Sequence, residues 1–208
     1  MQKRVSTNPR DRIAGLAYLV DTVAIPTYDT TQSEEDAWLA LINAMSFKSR
    51  AELLFLYPKP GNGKKHWQPS WEQVMTEMPL RHDELGARIF RKDETDDDCV
   101  CYSNVINSDE VRGLAKESKG GPRQGELIIE KGTSTRRSCP LEIIADHGYP
   151  IPDGSYTLLA SKGYSHWVIG EMQEGKFKKR SVFRMADDSE REMLEVLGVG
   201  EYGDISLC

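Results

Sequence analysis

The spacing of apolar residues changes partway along the chain, and this change constrains the fold more than any single motif. In the N-terminal third the apolar positions mostly recur at helical intervals, and from Leu80 to about Gly121 the signal is poorer; after residue 122 they come in short β-prone runs cut by Gly, Pro, Asp and Ser. The first pattern buries one face of a helix, and the second builds strands of a sheet. The expected class is α+β: N-terminal helices, a C-terminal antiparallel β meander or small barrel, and a closing C-terminal helix. Residues 1–208 read as one α+β domain, with a mainly helical half at 1–118 and a mainly β half at 122–208, joined near Gly120-Gly121.

Local signals place the elements. Asn8 before Pro9 makes an N-cap and first helical position, and Ile13, Leu16, Ala17 and Val20 continue a helix over 9–20. Ser33 with Asp36 is an acidic variant of a capping box ahead of Ala37, Trp38, Leu41, Ile42 and Met45. The run Leu53-Leu54-Phe55-Leu56-Tyr57, stopped by Pro58 and Pro60, reads as a buried strand. Ser70 with Gln73 repeats the capping signature, and Trp71, Val74, Met75 and Met78 share a face until Pro79. Cys99-Val100-Cys101-Tyr102 begins a strand, and further strands are expected around residues 126–129, 141–144, 156–159, 166–169 and 180–183. Glu174-Gly175 supplies a hairpin turn between the last two. A final helix starts at Asp187 with Glu190, buries Met193, Leu194 and Leu197, and stops at Gly198.

Composition removes some function classes. No apolar run approaches the roughly 18 residues needed to span a bilayer, so no membrane partner is expected. The polar start, Met1-Gln2-Lys3-Arg4-Val5, shows no signal peptide, which makes cytoplasmic residence the expectation. With 27 basic against 33 acidic side chains, the net charge of -6 opposes a global attraction to nucleic acid. Charge is nonetheless segregated. Acid gathers at residues 93–98 and in helix first turns, and positive charge at Lys64-Lys65, Arg136-Arg137 and residues 176–180. Cys99, Cys101, Cys139 and Cys208 lack zinc-pair spacing and read as reduced thiols; no metal site and no cofactor is expected.

The chemistry-bearing motifs are few. Pro60-Gly61-Asn62-Gly63-Lys64-Lys65 lacks the spacing of a P-loop, since His66 stands where Ser or Thr is required. The stretch from Lys64 through Lys65, His66 and Trp67 to Trp71 is the one place where cations and indoles coincide in sequence, as in sites that stack a base and hold a phosphate. The alternative, which we prefer, makes Trp67 a staple and Trp71 the first core residue of its helix. If an enzyme is present, Glu72 and His66 are the candidate catalytic pair, and Lys64, Lys65, Trp67, Trp71, His166 and Trp167 the candidate binding residues. Asp146-His147 adds a carboxylate-oriented histidine, and His82 completes the set of four histidines, none spaced for a metal. The basic run at residues 176–180, interrupted by Phe177, either meets phosphates or forms a solvated edge strand.

Several phrases resemble a known family. Residues 8–19 (NPRDRIAGLAYL), Gln32-Ser33-Glu34-Glu35-Asp36-Ala37-Trp38, Leu54-Phe55-Leu56-Tyr57-Pro58 and Trp67-Gln68-Pro69-Ser70-Trp71 are similar to the region that follows the HET domain in heterokaryon-incompatibility-type proteins of mushroom-forming (basidiomycete) fungi. Lys178-Lys179-Arg180-Ser181-Val182-Phe183 resembles the end of those proteins. The resemblance implies a fungal source and a role in self/non-self recognition or defence, and it assigns no active-site residue. The HET domain itself is not among these residues, so its activity is not carried over. Three readings follow: a recognition or defence module acting through a macromolecular partner; a small defence toxin acting on nucleic acid, such as a ribosome-inactivating rRNA N-glycosidase; or a small-ligand or glycan-binding protein using Tyr149, Tyr164 and Trp167. A protein partner and ribosomal RNA are the partners these readings require.

Overall fold

The computed structural model describes residues 10–29, 31–81, 85–92, 98–107, 110–116, 121–130, 138–198 and 200–208. The N-cap at Asn8-Pro9, His82, most of the acidic run at 93–98, Gly120 and Arg136-Arg137 lie outside them. The described elements are α1 (Arg10–Leu16), α2 (Glu34–Ala44), α3 (Phe47–Leu56), α4 (Trp71–Thr76), β1 (Arg88–Arg91), β2 (Cys99–Asn107), β3 (Glu110–Arg112), β4 (Arg123–Glu130), β5 (Ser138–Ala145), β6 (Thr157–Ala160), a 3-10 turn (Lys162–Tyr164), β7 (His166–Gln173), β8 (Lys176–Met185), α5 (Asp188–Leu197) and β9 (Glu201–Leu207). Helices first and strands second is therefore the observed α+β order, with a further strand after the closing helix.

The caps form as the sequence dictates. Ser33 accepts from the Asp36 N–H, and Ser70 and Gln73 exchange both bonds of a capping box at α4. Asp187 caps α5, and Gly198 ends it in the left-handed conformation at φ 59°. Leu194 is buried there, but Met193 is half exposed, so the expected apolar face is narrower.

One expectation fails clearly. Residues 53–56 are not a strand but the last turn of α3, which starts at a Ser46 cap. A short, fully apolar run is ambiguous between a buried strand and a buried helix. Here the helix packs on β1 and β7 within the larger core cluster, and Leu53, Leu54, Phe55 and Leu56 are all buried. Pro58 then forces Tyr57 into extended backbone and ends the helix.

The nine strands of the described residues join one sheet, ordered β1-β2-β6-β7-β8-β5-β4-β3, with β9 beside β2. The sheet rolls up. β9 runs antiparallel along β2 and also meets β8 in parallel at Phe177 and Leu207, closing a ring through β2, β6, β7, β8 and β9. On the other side, a bridge from Val111 of β3 to Gly154, just before β6, folds β3, β4 and β5 back over the same central strands. β6, β7 and β8 are thus covered on both faces. Leu159, Val168 and Val182 face the helices, whereas Leu158, Ala160, Trp167, Ile169 and Phe183 face a second core with Leu127, Leu141 and Ile143. Strands covered on both faces read as continuous apolar runs.

The basic run at 176–180 belongs to this central strand and not to an edge. A register shift at Ile169 and Gly170 leaves Arg180 unpaired in the ladder, so Phe177 and Lys179 turn toward the helical core. Lys179 is 1% exposed and its Nζ donates to the carbonyls of Leu54 and Tyr57, both at 2.6 Å. It thereby satisfies the C-terminus of α3, where the helix dipole favours a cation. Burial pushes its pKa down to about 7, against the opposing pull of Glu77.

Candidate functional site

The stretch at 64–71 resolves into structural roles. Trp67 is 1% and Trp71 5% exposed, so neither indole face is free to stack a base. Trp71 Nε1 donates to Glu34 and its backbone N–H to Glu35, which ties α4 to the first turn of α2. Trp38 packs 5.7 Å from Trp71 and donates to the Pro69 carbonyl. The backbone N–H groups of His66 and Trp67 both donate to the carbonyl of Cys208, and His66 Nδ1 bonds the Gly61 carbonyl. The loop that resembles an anion cradle therefore holds the end of β9. Lys64 and Glu72 are exposed, and Lys65 is half-buried.

The other candidates are separated from this loop by their bonds. Trp167 is fully buried, stacked between Tyr164 and Phe183, with Nε1 donating to Tyr164. His166 bonds Ser161 and Ser165 and lines a cleft of about 390 Å³ with Arg81, Asp146 and Arg184. Arg184 is held there by Asp146 at 2.5 Å and 3.2 Å. His147 Nε2 donates to the Val182 carbonyl at 2.8 Å and lies 3.3 Å from Ser181 Oγ. This is not a nucleophile with its base: Ser181 is fully buried and gives its proton to Pro58. Burial holds the His147 pKa below its ordinary value, against the opposing bond to the Val182 carbonyl. Among the described residues, no three His, Cys, Asp or Glu side chains converge to hold a metal, and no helix is long and apolar enough to cross a membrane.

Positive charge and aromatic surface do coincide, at a place no contiguous motif marks. β1 and β6 both pair along the same edge of β2, β1 with Cys99, Val100, Cys101 and Tyr102, and β6 with Asn104, Val105, Ile106 and Asn107. Opposite Ser103 neither strand is present. The gap opens a cleft of about 470 Å³ lined by Lys48, Glu52, Arg88, Ser103, Asn104, Lys162 and Tyr202, with Leu85, Gly86, Ala87, Ala160 and Gly163 completing its wall. Its rim is tied shut on one side, where the Lys162 N–H donates to the Leu85 carbonyl at 2.6 Å. Gly86 has φ +66°, and a Cβ there would lie 2.4 Å from Lys162 Cβ, so only glycine allows this approach.

Lys48, Arg88 and Lys162 are exposed and make no ion pair among the described residues. Arg88 is instead oriented by the Phe47 ring, 5.3 Å away, and Phe47 stacks on Phe90. Phe90 meets Tyr102 edge to face at 5.4 Å. Paired residues of neighbouring strands point to one side of a sheet. The registers Arg88↔Tyr102, Tyr102↔Asp204 and Asn104↔Tyr202 therefore place Arg88, Phe90, Lys92, Tyr102, Asn104, Tyr202 and Asp204 on one outer face beside the cleft. At its far end, Lys176 donates to Asp98 at 2.6 Å, and this bond, helped by Lys92 and Lys65, lowers the carboxyl pKa.

Apart from Lys65, Lys176 and Asp98, which fall in the charged stretches, and Tyr102, which falls in an expected strand, none of these residues stood out in the sequence, because they come from α3, β1, β2, the 3-10 turn and β9. A signal existed only in the alternation of Arg88, Phe90 and Lys92, too short to register as a strand. No family model matches the chain, and neither a curated protein nor a solved structure matches it.

Proposed function

We propose that the protein is a recognition module that binds an anionic surface of a macromolecular partner through the cleft between β1 and β6. The observation that supports this reading is the convergence of Lys48, Arg88 and Lys162, without ion-pair partners among the described residues, around a cleft in which Glu52 is the one carboxylate among the described lining residues. Cations so placed are desolvated little and are free to exchange water and counterions for a partner's charges. The role matches what the resemblance to the incompatibility-type region implies, a recognition or defence function, and we place it in the cytoplasm, where the buried thiols of Cys99 and Cys101 would stay reduced.

A charge reversal tests the proposal. Heparin, as a generic polyanion, is expected to bind the wild type in a salt-dependent manner and to bind Lys48→Glu/Lys162→Glu at least tenfold more weakly, as read by isothermal titration. Equal binding by the two proteins would remove the cleft from the function.

A further inference from the structure

We infer that the partner surface is a single-stranded nucleic acid, its phosphates held by the cleft cations and its bases stacked on the aromatic side chains of the adjoining sheet face. The inference rests on the reading of the cleft as an anion site and adds to it the identity of the anion. Three observations on the outer face of β1, β2 and β9 carry it.

The first is the kind of exposed aromatic surface. Tyr202 is 64% exposed, and Phe90 and Tyr102 each present more than a third of their surface. All four tryptophans are buried by contrast. Tyr202 and Tyr102 sit on rows two residues apart along β2, through Asn104↔Tyr202 and Arg88↔Tyr102. Such rows lie about 7 Å apart, a spacing that an extended strand of nucleotides can match with successive bases.

The second is the line of charge. Lys48, Arg88 and Lys162 stand at the Asn104 end of the face and Lys92 and Lys176 at its Asp98 end. These ends are about 20 Å apart along β2, from the rise of a strand over six residues. Among the described residues Glu52, Asp98 and Asp204 offset part of this charge, which leaves an excess of cations there without a uniformly basic lining. A backbone carrying one charge per nucleotide fits cations distributed over that length. A phosphorylated protein side chain would use the cleft alone and leave the aromatics and the distal lysines unexplained.

The third is preorganisation. Phe47 holds Arg88 by its ring face and is itself fixed on Phe90, so the guanidinium is displayed at the cleft without an acidic partner among the described residues. Asn104 adds an amide within the cleft wall for the sugar or base edge.

Fluorescence anisotropy of an end-labelled oligouridylate of about ten nucleotides, a length suited to single-strand sites of this size, tests the inference. Wild-type protein is expected to bind it in a salt-dependent way, and to bind a duplex of equal length more weakly because paired bases cannot stack. Tyr202→Ala is expected to weaken binding roughly tenfold, and Tyr202→Phe, which keeps the ring, to restore it. Lys48→Glu/Lys162→Glu should weaken oligonucleotide and heparin binding together. If heparin or a phosphoserine peptide binds through Lys48 and Lys162 while the oligonucleotide does not, or if Tyr202→Ala binds the oligonucleotide as the wild type does, the nucleic-acid assignment is overturned and the anion cleft stands. If neither heparin nor oligonucleotide responds to the charge reversal, both fall. Tryptophan emission checks that each variant is folded, since every indole is in the interior.

Discussion

The stretch at 64–71 and the outer face of β1, β2 and β9 contain the same kinds of residue, yet they behave oppositely. In the first, cations and indoles are neighbours in sequence and part company in space: Trp67 and Trp71 enter the core while Lys64 stays in water. In the second, Lys48, Arg88, Tyr102, Lys162 and Tyr202 are scattered along the chain and gathered by strand register together with the placement of α3 and the 3-10 turn at the cleft. Burial of a whole indole removes so much apolar surface from water that a helix start will almost always use it as a core anchor. A tyrosine or arginine on the outward row of a strand has no core to enter and remains available. Proximity along the chain is thus a poor guide to a site built on a sheet.

The largest effect that would break this comparison is at Trp67. Replacement by alanine removes a fully enclosed indole at the meeting of the 60–67 loop and the end of β9, and should cost about 3–5 kcal/mol in urea unfolding. A loss under about 1 kcal/mol would mean that the indole is not the anchor described. Lys179→Met comes next. It leaves the Leu54 and Tyr57 carbonyls without a donor, and about 2–3 kcal/mol should be lost near neutral pH. Its pH dependence has a definite sign. The folded pKa of about 7 lies below the value of 10.5 for a solvated lysine, so the unfolded chain binds a proton that the folded chain gives up. Wild-type stability should therefore rise relative to the methionine variant as pH increases from about 7, by at most about 1.4 kcal/mol per unit. A difference between the two proteins that stays constant over that range would show that the ammonium keeps its ordinary pKa.

How much of this was legible follows the same division. Caps at Ser33, Ser70 and Asp187 depend on three or four adjacent residues, and the sequence announced each one. The hairpin at Glu174-Gly175 was equally local; both residues have the positive φ that such a turn demands. β9 was missed because Glu201, Tyr202, Gly203 and Asp204 have no apolar alternation; the strand is held by pairing with β2, a partner about a hundred residues earlier. α3 was misread because its apolar run carries no period, and burial on opposite sides decided the outcome. The gap opposite Ser103 has no sequence signature, since it is a place where two strands stop.

Gly86 sharpens the comparison at an intermediate level. Alanine there meets both an unfavourable φ and the Lys162 side chain, so the 3-10 turn must shift away from Leu85. We expect a loss of about 1–2 kcal/mol in unfolding free energy. Heparin affinity should fall as well, because Lys162 moves with the turn. If stability falls but affinity does not, Lys162 is not part of the cleft's cation set.

The smallest expected change in stability is the most informative about the outer face. Tyr202→Ala removes a ring that is mostly in water and touches neither core cluster, so the urea midpoint should move by less than the equivalent of about 0.5 kcal/mol. The β9 backbone keeps its pairing to β2 whatever side chain points outward, and only a small β-propensity difference remains. A surface position whose removal leaves folding untouched has no structural reason to carry a large aromatic side chain. A clear destabilisation by Tyr202→Ala, on the scale of Trp67→Ala, would instead make the ring part of what holds β9 in place. The two regions would then differ only in depth, and the face would lose its standing as a binding surface.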